Sequence, residues 1–287
     1  MTNSPTVSIL VANFNNGKYF KDCYESLLKQ SFQDFEVIIV DDCSTDNSVE
    51  VIKQIVGDDY RCHIYQNEVN SGVGYTKKRC IDLANGMLCA FVDPDDAIVP
   101  NALEVMVKAH EDPKLGLVYS NFVFCDENLN KNKIHKTEQV KNDDPLFFNL
   151  GGIISHLAVF KKATYNVTDG LSSTLKKAID QDLYIKLYEK APVKYIDEDL
   201  YLYRIHSEGI STNDNVDKAH YWHWNAILDA ARRRNVEVDE MFFTYFVRKN
   251  KYFKDLKKRN DVLSLLKKSR WLKLGHKLGL FKFYDLL

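Results

Sequence analysis

Short apolar runs alternate with amphipathic stretches through the first hundred residues. T-V-S-I-L-V-A (6–12), F-E-V-I-I-V (35–40), C-H-I-Y-Q-N (62–67) and M-L-C-A-F-V (87–92) have the length and β-branched content of strands. Between them, residues 19–30 place Phe20, Cys23, Tyr24, Leu27 and Leu28 at helical spacing. Asp46 and Ser48 offer caps for a second helix through Val49, Val51, Ile52 and Ile55. Residues 73–85 predict a third helix, closed by Asn85-Gly86 as its C-terminal signal. Strands alternating with helices predict a mainly parallel sheet with crossover connections.

Beyond residue 100 the alternation loosens. Residues 115–126 predict a strand, and K-N-K-I-H-K (131–136) with its neighbours reads as a polar, mobile connection. Residues 151–162 bring another apolar segment, and 176–190 a helix with Leu183, Leu187 and Tyr188 inward. V-K-Y-I-D-E-D-L-Y-L-Y-R (193–204) reads as strands. The division expected is a domain over 1–215 and a basic, amphipathic helical extension over 216–287.

In parallel sheets, ligands bind outside the carboxyl ends of the strands. Three predicted strand ends carry polar clusters: Asn13-Phe14-Asn15-Asn16, Asp41-Asp42-Cys43-Ser44-Thr45-Asp46 and Asp93-Pro94-Asp95-Asp96. Each alone reads equally as a solvated turn, since Asp, Asn and Pro favour turns. Three on one edge of a sheet would instead form a crevice. No G-x-G-x-x-G follows the first strand, which removes the main support for a dinucleotide site.

Composition narrows the class. With 45% hydrophobic residues in 287, a sizeable core is expected. Lys plus Arg number 39 and Asp plus Glu 40, a balance that argues against a nucleic-acid partner. The six cysteines have no metal-ligand or framework spacing, which suits a reducing compartment. No apolar run approaches a membrane span, and the first residues lack a basic leader pattern, so a cytoplasmic protein is expected.

V-S-I-L-V-A-N-F-N-N, E-V-I-I-V-D-D-C-S-T-D, N-S-G-V-G and A-F-V-D-P-D-D-A-I-V-P occur in the order and spacing of family-2 glycosyltransferases. A-I-D-Q-D-L-Y-I-K-L (178–187) resembles that family's acidic helix motif, and Y-R-I-H-S-E-G-I-S (203–211) its closing loop. The resemblance covers roughly residues 5–215. It implies an α/β protein of the GT-A fold, a Rossmann-like, mainly parallel mixed sheet flanked by helices, with a C-terminal helical extension. It also implies a metal-dependent, inverting transferase. Such an enzyme moves a sugar from a UDP- or dTDP-sugar to a hydroxyl of a glycan or polyprenyl-linked acceptor, as in polysaccharide assembly.

The resemblance also assigns residues. Asp95, in the D-x-D motif, stands as a ligand of Mn²⁺ or Mg²⁺, with His206 as a second. Asp93 contacts the ribose or the metal through water, and Asp96 orients its neighbours or caps a helix. Ala12, Phe14, Asp42, Lys77 and Arg204 take nucleotide-binding positions: Phe14 stacks on the base or is an ordinary core residue, Asp42 accepts from the base N3–H, and Arg204 pairs with the diphosphate. Asp180 matches the catalytic base, with Asp182 its competitor two residues on. One base and no nucleophile implies inversion at the anomeric carbon. The chain departs from the family at Ala12, where Pro is usual. It departs again at Ile179, where a Glu precedes the base, and at Lys77, which lacks the planar fork of the usual Arg. Gly209 and Ser211 suggest a loop able to close over the donor.

Residues 248–282 hold 13 Lys or Arg against two Asp, interleaved with apolar residues including Trp271. This predicts either an anionic membrane surface as partner, at the inner face of the cell membrane, or a helical appendage with solvated lysines. Three other functions compete with transfer. A nucleotidyltransferase would want an early Gly-rich phosphate loop, which is absent. A noncatalytic nucleotide- or carbohydrate-binding relative, or a membrane-peripheral scaffold, would not need Asp180.

Overall fold

The structure is a computed structural model that describes residues 4–172, 174–206 and 216–279, without the side chains of 216 and 248–253. The chain forms two compact units, residues 1–236 and 237–287.

The first unit is built on one mixed sheet. Strands β1 (Val7–Asn13), β2 (Phe35–Asp41), β3 (Cys62–Gln66) and β4 (Leu88–Phe91) are its parallel part, and helices α1 (Phe20–Leu28), α2 (Ser48–Val56) and α3 (Val73–Leu83) make the crossovers. β1, β2 and β4 are buried at nearly every position, which explains why they read as unbroken apolar runs. The remaining elements are β5 (Ala97–Ile98), α4 (Ala102–Ala109), β6 (Leu117–Cys125), β7 (Lys131–His135), β8 (Ala158–Lys161), α5 (Lys162–Asn166), α6 (Ile179–Tyr188), β9 (Val193–Arg204) and α7 (Val216–Arg234). The strand order is β3-β2-β1-β4-β8-β6-β9-β5, with β7 beside β6. β8 runs antiparallel to β4 and β6, while β6 and β9 are parallel. The sheet has an apolar cluster on each face: Ile9, Val37, Phe20 and Met106 belong to one, Leu10, Ile38, Leu183 and Leu187 to the other.

Several expectations change. Residues 131–136 are not a loose connection: Lys131–His135 is an edge strand antiparallel to β6. Four of its five residues are exposed, so no buried alternation marks it, and its lysines are typical of a protected edge. Residues 193–204 form one long strand whose register with β6 shifts near Ser120 and Asn121. Leu28, counted on the inner face of α1, is 44% exposed. Helix α7 belongs to the first unit, with its Trp224, Ala226, Ile227 and Ala230 buried.

Gly86 is not the left-handed stop that Asn85-Gly86 suggested, because α3 ends at Leu83 and Ala84 is its cap. It is required by close approach instead. A Cβ there would stand 2.6 Å from the Ser8 backbone nitrogen, and the Gly86 N–H donates to Ser8 Oγ at 2.8 Å. Gly86→Ala is expected to cost about 1–3 kcal/mol by overpacking, read as a lower urea midpoint with an unchanged slope.

The second unit comprises α8 (Asp239–Phe242), a π-helical segment (Phe243–Arg248), α9 (Lys249–Lys268) and α10 (Arg270–Lys277). Trp271, Leu274 and Leu278 are exposed. At 100° per residue these three fall within one narrow sector around α10, with Arg270, Lys273 and Lys277 in the adjacent one. No helix among the described residues is long and apolar enough to cross a membrane.

Candidate active site

The carboxyl ends of β1, β2 and β4 do meet. The parallel register sets Asn13 beside Asp41, and Asp93 follows β4 two residues on. Asn13 Nδ2 donates to Asp41 Oδ2 at 2.7 Å, and the Ser44 N–H donates to Asp41 Oδ1 at 2.8 Å. Asp41 therefore shapes its own turn.

Asp42 is 3% exposed and its carboxylate is engaged. Oδ1 accepts from Asn67 Nδ2 at 2.7 Å and the Ser71 N–H at 2.9 Å, and Oδ2 accepts from the Gly72 N–H at 2.8 Å. That fixes the loop leading into α3, and leaves about one of the carboxylate's four acceptor sites for a base edge. Phe14, by contrast, is 44% exposed, so it is not a core residue and its ring is open to a ligand. Ala12 lies within β1, half-buried against the cluster on one sheet face.

The aspartates after β4 separate into different environments. Asp96 is buried: its Oδ2 accepts from the Tyr201 hydroxyl at 2.7 Å and its Oδ1 from the Arg204 N–H at 2.8 Å. Burial and the neighbouring Asp95 and Asp93 carboxylates push it well above the usual carboxylate range. It joins the strand end to β9 and caps no helix, since Asn101 precedes α4. Asp95 Oδ2 lies 2.8 Å from His206 Nε2. The His206 ring sits against Tyr19 at 4.7 Å between centroids, and its Nδ1 is buried without a partner among the described residues.

Arg204 is almost wholly buried. Its Nε donates to the Asp95 carbonyl at 2.6 Å, its guanidinium also donates to the Glu127 carbonyl, and Nη2 pairs with Asp22 at 2.8 Å. The planar group lies over the Tyr19 ring, 4.8 Å from its centroid. These bonds engage the guanidinium in holding the strand end, in place of the open diphosphate contact that the resemblance implied.

Asp180 enters from α6. Ala178, the residue before that helix, has φ +58°, a left-handed value uncommon for a residue with a side chain. Asp180 Oδ1 accepts from Lys77 Nζ at 2.8 Å, and the same ammonium lies 3.4 Å from Asp93 Oδ1 and 4.8 Å from the centre of the Phe91 ring. Lys77 is thus a buried bridge between two carboxylates, where the sequence suggested a nucleotide contact. Burial raises the Asp180 pKa, but the Lys77 and His156 charges more than offset it, so the group is held below its ordinary value. Asp182 faces elsewhere: it is buried, pairs with Lys186 at 2.7 Å and accepts from the Ser172 N–H.

Sequence reasoning missed Tyr19, Tyr201 and His156. Tyr201 not only holds Asp96 but accepts the Asp93 N–H at 3.2 Å. The only signal was the Y-L-Y-R run, where a strand pattern hides which tyrosine turns inward. Gly209 and Ser211 lie outside the described residues.

No three His, Cys, Asp or Glu side chains among the described residues gather as a metal cage. Asp95 Oδ2 and His206 Nε2 bond to each other, and together they would offer a cation one oxygen and one nitrogen. That pair suits a divalent ion bound otherwise by phosphate oxygens and water, as hard cations at nucleotide sites are.

The fold is the GT-A arrangement: a mixed, mostly parallel sheet between helices with polar groups on its carboxyl edge. The model of glycosyl transferase family 2 matches residues 8–169, and the chain belongs to that family. It is 29% identical over 241 residues to a chondroitin synthase of Pasteurella multocida (strain Pm70), a match covering 82% of this chain but 24% of that protein. Among solved structures, S. aureus TarS 1–349 in complex with UDP-GlcNAc is similar with a TM-score of 0.67 at 20% identity, over 84% of this chain and 73% of that one. The mannosyltransferase PcManGT of Pyrobaculum calidifontis, in complex with GDP-Man and Mn²⁺, gives a TM-score of 0.65 at 15% identity, over 99% and 83%.

Proposed function

We propose that the protein transfers a sugar, with inversion, from a uridine or thymidine diphosphate sugar to a hydroxyl of a growing polysaccharide. The observation that carries this reading is the Lys77 bridge. One ammonium touches both Asp93, at the donor end of β4, and Asp180, so a donor aspartate and a carboxylate base flank a single point. Phe14 offers an exposed ring to the nucleobase, beside the loop that Asp42 holds in place. Asp93 faces the ribose. Asp95 and His206 would hold Mn²⁺ or Mg²⁺, which when bound supplies neutralisation of the diphosphate leaving group.

The reacting acceptor hydroxyl gives its proton to Asp180. Lys77 holds that carboxylate below its ordinary value, so it is ionised and ready at neutral pH. With Asp93 given to the donor and Asp180 acting as the one base, the acceptor attacks directly and the anomeric carbon inverts. The similarity to a protein named as a chondroitin synthase supports a glycan acceptor. The basic second unit, with Trp271, Leu274 and Leu278 exposed, favours work on a lipid-linked acceptor at an anionic membrane surface.

Calorimetry with UDP and UDP-sugars, with and without Mn²⁺, tests the donor site. Wild type is expected to bind UDP more tightly with Mn²⁺, and Asp95→Ala to lose about 10–100-fold of that affinity. Equal UDP affinity in both proteins would remove Asp95 from the site.

A further inference from the structure

The loop before β8 reaches the same ground as Asp180, and nothing in the donor site described so far uses it. Asn149 pins it. That residue is fully buried, its Oδ1 accepts from the Ile154 N–H at 2.8 Å, and its Nδ2 donates to the Ile154 carbonyl at 2.9 Å and to Gln181 Oε1 at 2.6 Å. Gln181 directly follows Asp180, so the loop and the base share one anchor. Gly151 and Gly152 take φ values of +81° and +71°, and a Cβ on either would meet nothing within 4 Å. The chain therefore turns sharply beside open space before delivering Ser155 and His156.

His156 stacks on Tyr201, with centroids 4.8 Å apart and planes at 18°. Tyr201 is the residue that holds Asp96 and receives the Asp93 N–H. On its other side, His156 lies close enough to Asp180 to stabilise that carboxylate. Ser155 Oγ and His156 Nδ1 are nonetheless buried with no hydrogen-bond partner among the described residues. Such atoms are rare in folded proteins, and each calls for a reason.

We propose that Ser155 and His156 form the subsite for the hydroxyls of the donor's sugar ring and set which sugar is accepted. The inference rests on the nucleotide-sugar reading above. If Asp93 faces the ribose and Asp180 the acceptor, the sugar ring lies between them, and this pair borders that space. A serine hydroxyl and an imidazole each donate or accept, which matches the alternating needs of ring hydroxyls. An acceptor sugar carries the same groups. The stack on Tyr201, which receives the Asp93 N–H, places His156 on the donor side.

The test compares UDP with UDP-N-acetylglucosamine, UDP-glucose and UDP-galactose by calorimetry, in wild type, Ser155→Ala and His156→Phe. Phenylalanine keeps the ring on Tyr201, and UDP affinity reports whether the site has folded. The expected result is unchanged UDP affinity, a loss of about 3- to 10-fold for the preferred UDP-sugar, and a flatter ranking among the three sugars. Unchanged UDP-sugar affinity in both variants overturns the inference, as does equal wild-type affinity for UDP and all three sugars. A defect confined to acceptor KM also overturns it, by moving the pair to the acceptor side. A wild type that binds neither UDP nor any UDP-sugar instead sinks the nucleotide-sugar reading, and this inference with it.

Discussion

Asp180→Asn is expected to slow glycosyl transfer by about 10²–10⁴-fold, the usual contribution of a positioned general base, while leaving UDP-sugar binding nearly unchanged. Asparagine keeps the shape of the side chain and an oxygen to accept from Lys77 Nζ, now at 2.8 Å from Asp180 Oδ1. It removes only the capacity to take a proton. The control is Asp182→Asn on the same helix. Asp182 is paired with Lys186 and lies away from Lys77, so its loss should lower the thermal midpoint and spare turnover of the protein that remains folded. Single-turnover rates and calorimetry on both variants separate the two. A dead Asp182→Asn beside an active Asp180→Asn would transfer the base role.

Lys77→Met is expected to destabilise the protein by about 3–5 kcal/mol at pH 8, because removing one member of a buried pair leaves the other charge uncompensated. Lys77 faces Asp180 and Asp93, and Asp180 faces Lys77, His156 and the buried Tyr184 hydroxyl. The sign of the pH dependence follows from the Asp180 shift. In wild type its carboxyl lies below its ordinary value, so its stabilising contribution is present above about pH 3.9 and is lost as pH falls through the lowered native value. Lys77 is shifted upward, so its contribution persists until pH rises past its unfolded value and does not change between pH 5 and 8. Without Lys77, burial outweighs what His156 contributes and raises Asp180. The variant's carboxyl then protonates more readily, and its deficit shrinks toward pH 5. Urea midpoints at pH 5 and 8 measure this, and an equal deficit at both would show that the ion pair contributes little. The acid limb of the transfer rate should move upward in the same variant.

Strands β1, β2 and β4 were legible because they are buried on both faces and so read as plain apolar runs. β7 was not, since an exposed edge strand of Lys, Asn, Lys, Ile and His has no buried side to alternate. At the site, motif positions pointed to Asp93, Asp95, Asp180 and His206, which the structure sets as Asp93 and Asp180 on Lys77 and Asp95 against His206. They did not show what each carboxylate touches. Asp42, Lys77 and Arg204 look alike as polar residues near a ligand, yet the structure engages each of them with other protein groups. Burial decides this, and burial depends on contacts across the sheet. His156 carried no signal because its neighbours, Asp180 and Tyr201, lie 24 and 45 residues further along the chain.

The late closure of the strand end has a consequence for synthesis of the protein. Tyr201 reaches Asp96 across 105 positions, Arg204 reaches it across 108, and His206 reaches Asp95 across 111. At about 5–20 residues per second, a ribosome needs roughly 5–20 s to add that much chain. Meanwhile β1 to β4 can assemble, since their connections are local. Until residues 158–161 arrive, one edge of β4 remains unpaired. Such an edge is a template for another chain, so a polypeptide halted near residue 150 is expected to be the aggregation-prone species, with Asp96 awaiting the hydroxyl and amide that later enclose it.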